Sequence, residues 1–174
     1  MFHQFRLFIY QYYLRKQLKE QVIEHEVVAF DKARNIGVLF DITDKSQLTS
    51  VNQFVHQLER ANKKVHLLGF ASNDESTDDL LFPCFSQKET SWFYQPKGEQ
   101  PIAFMEKPFD ILVCTFFEES AVLEYMAALS KARFRVGPYF ENKQHCFDFM
   151  VNHDNDSLKD FFKHVYHYLT ILKN

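Results

Sequence analysis

The stretch NIGVLFDI, from Asn35 to Ile42, is a continuous apolar run that leads into an acidic turn. Such a run is typical of a strand that is buried on both faces, as strands of parallel sheets are. Asp44 and Ser46 are the two candidates for the N-cap of a following helix. That helix is indicated by apolar residues at helical spacing: Leu48, Val51, Val55 and Leu58. The stretch KKVHLLGF, from Lys63 to Phe70, predicts a second strand, so the two strands should be parallel and joined by a right-handed crossover.

A second strand–helix–strand unit lies in the C-terminal half of the chain. FDILVCTFF, from Phe109 to Phe117, predicts a buried strand, and Glu118 and Glu119 should begin the helix after it. FRVGPY begins another strand, HCFDFMVN (145–152) predicts a further strand, and an amphipathic helix is expected from Ser157 to Leu172. Together these elements predict an α/β fold: a three-layer Rossmann-like domain with a mostly parallel sheet and helices on both faces.

Residues 3–25 contain no glycine or proline and are predicted to form an N-terminal amphipathic helix. One side would carry Phe5, Phe8, Ile9 and Tyr12, and the other Leu7, Leu14 and Leu18. A helix with two apolar sides must bury both or offer one to a partner, so we predict a homodimer through this helix. Contact of this helix with a membrane surface is the less favoured alternative. We divide the chain into an N-terminal helical segment, 1–30, and a single α/β domain, 31–174.

Residues 71–108 are less regular. A polar loop opens this segment, LLFPCF and TSWFY are interpreted as short strands, and prolines punctuate the remainder. Trp92 is expected to close one end of the core, with a ligand platform as the alternative.

The composition of the chain argues against several classes of function. The chain has 174 residues, which suits one domain, and it contains 20 Phe and 8 Tyr against only 4 Gly. The net charge of −3 offers no overall attraction for nucleic acid. The three cysteines include no C-x-x-C pair, and no apolar run approaches the length of a membrane span, so we expect a cytoplasmic protein.

The candidate site is an acidic edge of the sheet. If the sheet is parallel, the residues after the first strand and those after the strand from Phe109 meet at the same edge. The candidate ligand-binding residues are therefore Asp41, Thr43, Asp44, Ser46, Glu118 and Glu119. The alternative is structural: Asp44 or Ser46 caps a helix, Asp41 holds the turn, and the two glutamates favour a helix N-terminus.

No complete cofactor motif accompanies this edge. The magnesium pattern D-x-D-x-T fails because position 43 is Thr and position 45 is Lys, and D-x-S-x-S fails because Lys45 occupies its last ligand position. The G-x-G-x-x-G and G-x-x-x-x-G-K-[ST] motifs are absent, so we expect no nucleotide cofactor. A divalent cation, a cationic ligand or a hydroxyl-rich ligand would suit the acidic edge electrostatically.

Other reactive side chains have ordinary structural interpretations. Cys114 lies inside the most apolar strand and is expected in the core, and His145 and Cys146 would point to opposite faces of a strand. His164 and His167 form an H-x-x-H pair on the polar side of the last helix, where a solvated surface is expected. There is no G-x-S-x-G nucleophile motif.

The stretches NIGVLFDI, KKVHLLGF, FSQKETSWF, FDILVCTFF and ALSKARFRVG together resemble a family of short bacterial proteins from the Bacteroidetes that is known as a domain of unknown function. The resemblance covers most of the chain from Asn35 and implies no activity. A local resemblance joins FDILVCTFFEESAVLEYMAALSKARFRVG to the acceptor half of heptosyltransferase-type glycosyltransferases. It implies a Rossmann-like fold, but the chain has no room for the donor-binding half, which argues against that activity.

Two functional hypotheses follow. The favoured one is a non-enzymatic cytosolic Rossmann-like protein that acts through protein contacts. The alternative is a small-molecule binding domain or enzyme that uses the acidic strand-end site, with or without Mg²⁺. A pocket between Asp41 and Glu118 would favour the alternative, whereas a filled edge beside an exposed aromatic helix would favour protein contacts.

Overall fold

A strand from Asn35 to Asp41 (β1) lies in the middle of the sheet, and every residue between its two end residues is buried. The computed structural model describes residues 2–21, 23–73, 80–153 and 157–172. The remaining strands are β2 (Lys64–Ala71), β3 (Cys84–Ser86), β4 (Ile111–Thr115), β5 (Phe134–Pro138) and β6 (Phe149–Val151). The helices are α1 (Phe2–Glu20), α2 (Leu48–Arg60), α3 (Glu99–Glu106), α4 (Ala121–Leu129) and α5 (Leu158–Ile171).

The six strands form one parallel sheet in the order β3-β2-β1-β4-β5-β6. Both predicted strand–helix–strand units are confirmed, since β1 pairs with β2 and β4 pairs with β5 in parallel register. This strand order is that of doubly wound Rossmann-like folds, in which successive strands are added toward one edge of the sheet and then, from the centre, toward the other edge. Here those strands are β1 and β4.

Helices cover both faces of the sheet, which gives the expected three layers. Alternate residues of β1 divide the core: Ile36, Val38 and Phe40 pack with α2 and α5. Leu39 packs with the opposite cluster, to which α3 and α4 contribute. Helix α1 then packs on the outer side of α4 through Tyr10 and Leu14. Helix α4 is therefore covered from two sides, and all its residues except Ala121 are buried.

The N-terminal helix ends at Glu20 instead of residue 25. Residues 23–29 form no regular secondary structure, and the Glu26 amide donates to the carbonyl of Arg133 at 3.0 Å. Val28 and Phe30 then lie in the core beside α2 and α5. The proposed division of the chain at residue 30 stays a prediction.

The irregular region differs most from expectation. TSWFY is a turn, because the Ser91 hydroxyl accepts hydrogen bonds from the amides of Phe93 and Gln95, which compete with strand pairing. Trp92 is 48% exposed, so the prediction that it closes the core was wrong. Helix α3 was not predicted; Pro101 stands in its first turn, where no intrahelical amide donor is needed. Of the polar loop, residues 74–79 lie outside the described residues.

Two of the predicted strands are shorter in the structure than expected. LLFPCF contributes only Cys84–Ser86 to the sheet, and HCFDFMVN contributes only Phe149–Val151. His145 and Cys146 therefore lie in a turn, where the Cys146 amide donates to the carbonyl of Lys143. Cys114 and Cys146 are buried free thiols, as the core interpretation of Cys114 predicts.

Candidate functional site

A cleft of about 370 Å³ opens between the carboxyl ends of β1 and β4. The connections from these two strands leave toward opposite edges of the sheet, and in open α/β folds this reversal creates the usual ligand crevice. We call it the switch-point cleft. Its lining residues are Asp41, Thr43, Asp44 and Gln47 after β1, and Thr115, Phe116, Phe117 and Glu118 at the end of β4.

The turn after β1 is fixed by its own side chains. The Asp41 carboxylate accepts a hydrogen bond from the Thr43 amide at 2.7 Å, so Asp41 holds the turn as expected. The Thr43 hydroxyl lies 2.8 Å from the Ser72 hydroxyl and accepts from the Ser72 amide at 3.2 Å. Since Ser72 follows β2, these bonds tie one wall of the cleft to the neighbouring strand.

Of the two N-cap candidates in the sequence, Asp44 and Ser46, the structure shows that Asp44 is the cap. It precedes a short 3-10 turn, Lys45–Gln47, that leads into α2, and its carboxylate accepts from the Ser46 amide at 2.9 Å. Hydrogen bonds from the side chain and amide of Ser46 lower the pKa of Asp44 below its usual range. Ser46 contributes to this cap but does not line the cleft.

Glu118 and Glu119 precede α4 and do not begin it, which corrects the prediction. Ser120 is the N-cap, because its hydroxyl accepts from the Leu123 amide at 3.4 Å. Glu118 lines the switch-point cleft, whereas Glu119 lines a different cleft and lies 3.8 Å from the Lys143 ammonium. The structure thus gathers Asp41, Thr43, Asp44 and Glu118 in one cleft and leaves Ser46 and Glu119 outside it.

Thr115 is one of four lining residues that were not predicted; the others are Gln47, Phe116 and Phe117. Thr115 is 2% exposed, and its hydroxyl has no hydrogen-bond partner among the described residues. Buried hydroxyls are nearly always hydrogen-bonded, so an orphan hydroxyl at the end of a strand is notable. The available signal was that Thr115 is the one hydroxyl-bearing residue in FDILVCTFF.

The charged side chains among the described lining residues of the cleft are all negative. The described lining residues include the carboxylates of Asp41, Asp44 and Glu118 and no basic side chain. Phe116 and Phe117 supply an apolar wall. Within the described part of the chain, no group of three or more His, Cys, Asp or Glu residues is arranged to hold a metal ion. His164 and His167 are exposed on α5, as expected for a solvated surface.

Comparison with protein families matches residues 6–172 to the "Family of unknown function (DUF6913)". The chain belongs to this family. The match covers nearly the whole sequence but assigns no activity, ligand or site residue. Neither a curated protein nor a solved structure matches the chain. Among the described helices, none combines the length and apolar character that crossing a membrane requires.

Proposed function

We propose that this protein binds a small organic cation that carries hydroxyl groups, in the switch-point cleft. The observation that carries the proposal is the buried orphan hydroxyl of Thr115, a residue that lines the cleft. A buried polar group without a partner costs about 1–3 kcal/mol, and a ligand oxygen could supply the missing partner. A cleft volume near 370 Å³ is at the small end of ligand sites, about 300–1,000 Å³.

The charge of the lining supports a cationic ligand. Asp41, Asp44 and Glu118 face the cleft without a basic neighbour in its wall, so they would attract an ammonium group and repel a phosphate. Nucleotides are disfavoured for the same reason, and the proposal requires no cofactor. Asp41 and Asp44 already accept backbone hydrogen bonds, which leaves them less free to ligate Mg²⁺.

Binding is a better proposal than catalysis. No His, Cys or Lys is among the described lining residues, so the wall of the cleft supplies no imidazole, thiol or amine to activate its hydroxyls and carboxylates. The cytosolic location, the bacterial origin and the local resemblance to heptosyltransferases stay predictions.

The experiment compares ligand-induced stabilisation. Glucosamine, which carries an ammonium and several hydroxyls, should raise the melting temperature, whereas glucose, ATP, NAD and Mg²⁺ should have little effect. Thr115→Val and Glu118→Gln should weaken the glucosamine effect, and Thr49→Val, at an exposed position on α2, serves as the matched control. Absence of stabilisation by glucosamine, or stabilisation by ATP at micromolar concentration, would contradict the proposal.

A second candidate function is protein contact through α1. Tyr10 and Leu14 face α4, but the opposite side leaves Phe5 57% exposed and Phe8 68% exposed, with Tyr12 beside them. Trp92 packs against Phe5 at a ring-centroid distance of 6.5 Å and extends this aromatic surface. Exposed clusters of large apolar side chains mark interaction sites, which supports the predicted homodimer.

Sedimentation tests the dimer. The protein should sediment as a dimer at micromolar concentration, and the double substitution Phe5→Ser with Phe8→Ser should shift it to a monomer. Ile171→Ser, at an exposed apolar position on α5, is the control. A monomer at high micromolar concentration would rule out this candidate.

A further inference from the structure

A second cleft, of about 450 Å³, lies between α1, the start of α4 and the turn at residues 141–145. We call it the α1 cleft. The neighbouring acids Glu118 and Glu119 separate the two clefts, since Glu118 lines the first and Glu119 the second. The α1 cleft shares no lining residue with the switch-point cleft, so an inference about it does not depend on the proposed function.

The buried end of the α1 cleft carries an unpartnered hydroxyl. Tyr10 is 4% exposed and lines the cleft, and its hydroxyl has no hydrogen-bond partner among the described residues. Its ring contacts Tyr94 and Tyr125, which fixes its direction. Burial, and then the nearby carboxylate of Glu124, raise the pKa of Tyr10 well above its usual range, so the hydroxyl keeps its proton. A ligand atom that accepts a hydrogen bond would satisfy it.

One wall of the cleft is built around a buried ion pair. The Lys143 ammonium lies 2.8 Å from the Glu124 carboxylate and 3.8 Å from that of Glu119. Burial raises the pKa of Glu124, although the hydrogen bond from Lys143 opposes that shift. The pair holds the turn at residues 141–145 against α4, and its two opposite charges largely neutralise each other.

The mouth of the cleft carries two further charges of opposite sign. Arg15 on α1 and Glu141 on the turn are both exposed, and neither forms a salt bridge within the described residues. Burial, and then Lys143, Arg135 and Arg15, lower the pKa of His145, so this side chain is neutral near pH 7. Leu14 and Leu18 lie on α1 along the same cleft.

We propose that the α1 cleft binds a free α-amino acid with a neutral polar side chain. The ligand carboxylate would lie against Arg15 and the ligand ammonium against Glu141 at the mouth. The aliphatic part of the ligand side chain would pass Leu14 and Leu18, and its terminal oxygen would accept the hydrogen bond of Tyr10. Glutamine has this combination of groups, whereas norleucine has a similar stem without the terminal acceptor.

Calorimetric titration of the full chain with glutamine and norleucine tests the proposal. Glutamine should bind more tightly than norleucine, and Tyr10→Phe should weaken glutamine about fivefold while leaving norleucine unchanged, because only glutamine uses the hydroxyl. Arg15→Gln should weaken both ligands about tenfold, because both carry the carboxylate. Since Arg15 is exposed, this variant should fold normally.

Matched controls are available on the same helix. Tyr12→Phe removes an exposed tyrosine hydroxyl, and Lys16→Gln removes an exposed cation that pairs with Glu20. Both variants should bind glutamine like the unaltered protein. N-acetylglutamine lacks the ammonium and should not bind. Failure of glutamine to bind at about 10 mM, or equal binding by the unaltered protein and Tyr10→Phe, would overturn the proposal.

Discussion

Helices α2 and α5 cover one face of the sheet with buried residues that are all apolar, whereas α4 on the other face buries the charged Glu124. The difference follows from what lies outside each helix. The outer sides of α2 and α5 keep exposed polar residues, but the outer side of α4 lies under α1. A helix buried on two sides encloses its polar residues, which then need partners inside the protein.

Glu124 pairs with Lys143 in the turn before β6, and Arg135 of β5 donates to carbonyls at the end of α4. The buried guanidinium of Arg135 donates to both carboxylate oxygens of Asp148, at 2.8 and 3.0 Å. It also donates to carbonyls at the C-terminal end of α4, at 3.1 Å to Ala128, and to the carbonyl of His145 at 3.0 Å. Apolar packing therefore stabilises one layer, whereas buried hydrogen-bonded charges position the layer that holds the α1 cleft.

The apolar layer should show the largest single effect. Phe54 of α2 stacks on Phe162 of α5 with ring centroids 4.2 Å apart. Phe54→Ala should lower the free energy of unfolding by about 4 kcal/mol, because it removes buried apolar contacts and leaves a cavity. Urea denaturation measures the loss. Ile171→Ala, at an exposed position on the same layer, should change stability by less than about 0.5 kcal/mol. Similar losses in the two variants would contradict an apolar origin for this layer's stability.

The charged layer should respond to loss of Arg135. Arg135→Ala should cost about 3 kcal/mol, because it removes the guanidinium that donates to the partly buried Asp148 carboxylate and to the carbonyls of α4. Arg133→Ala is the matched control: this neighbouring arginine is half-exposed, and its pairs with Glu26 and Asp110 should contribute about 1 kcal/mol or less. Urea denaturation measures both losses. Equal decreases in the free energy of unfolding for the two variants would contradict the stabilising role of the buried charges in this layer.

The sequence predicted the apolar layer better than the charged one. The strands β1, β2, β4 and β5 and the helices α2 and α5 were recognisable because their apolar spacing is local and regular. Tyr10, Glu124 and Lys143 could not be recognised as one cluster, because α1, α4 and the turn at residues 141–145 meet only in the folded chain. A lone glutamate within a helix resembles a surface residue in the sequence.

The candidate site was predicted in part for similar reasons. The parallel sheet brings the residues after β1 and β4 to one edge, so Asp41, Asp44 and Glu118 were found. Glu119 turns to Lys143, a partner 24 positions further along the chain, and no local pattern indicates that pairing. Thr115 was not predicted because the feature that distinguishes it, a buried hydroxyl without a hydrogen-bond partner among the described residues, is visible only in the structure.

The smallest effect should come from the cap beside the switch-point cleft. Asp44→Ala should destabilise the protein slightly at pH 7, whereas Asp44→Asn should retain most of the cap, since asparagine is also a favoured N-cap. Gln53→Ala, at an exposed position on α2, is the control. Because the pKa of Asp44 is lowered in the folded state, its stabilising contribution is present above its ordinary pKa of 3.8.

That contribution should be lost as the pH falls through the lowered pKa of the folded state. Urea denaturation at a series of pH values should therefore show the stability difference between the protein and Asp44→Ala shrinking toward low pH. A difference that stays constant below pH 3.8 would show that the carboxylate charge has no part in the cap.

We claim that the orphan hydroxyl of Thr115 is retained to bind a ligand. The stability of Thr115→Val, measured with and without glucosamine, tests this claim. Without glucosamine, the variant should be more stable than the unaltered protein by about 1 kcal/mol, because an unsatisfied buried hydroxyl is removed. With glucosamine, the unaltered protein should gain stability and the variant should gain much less. A variant that is less stable alone, and that gains as much from glucosamine as the unaltered protein, would contradict the claim.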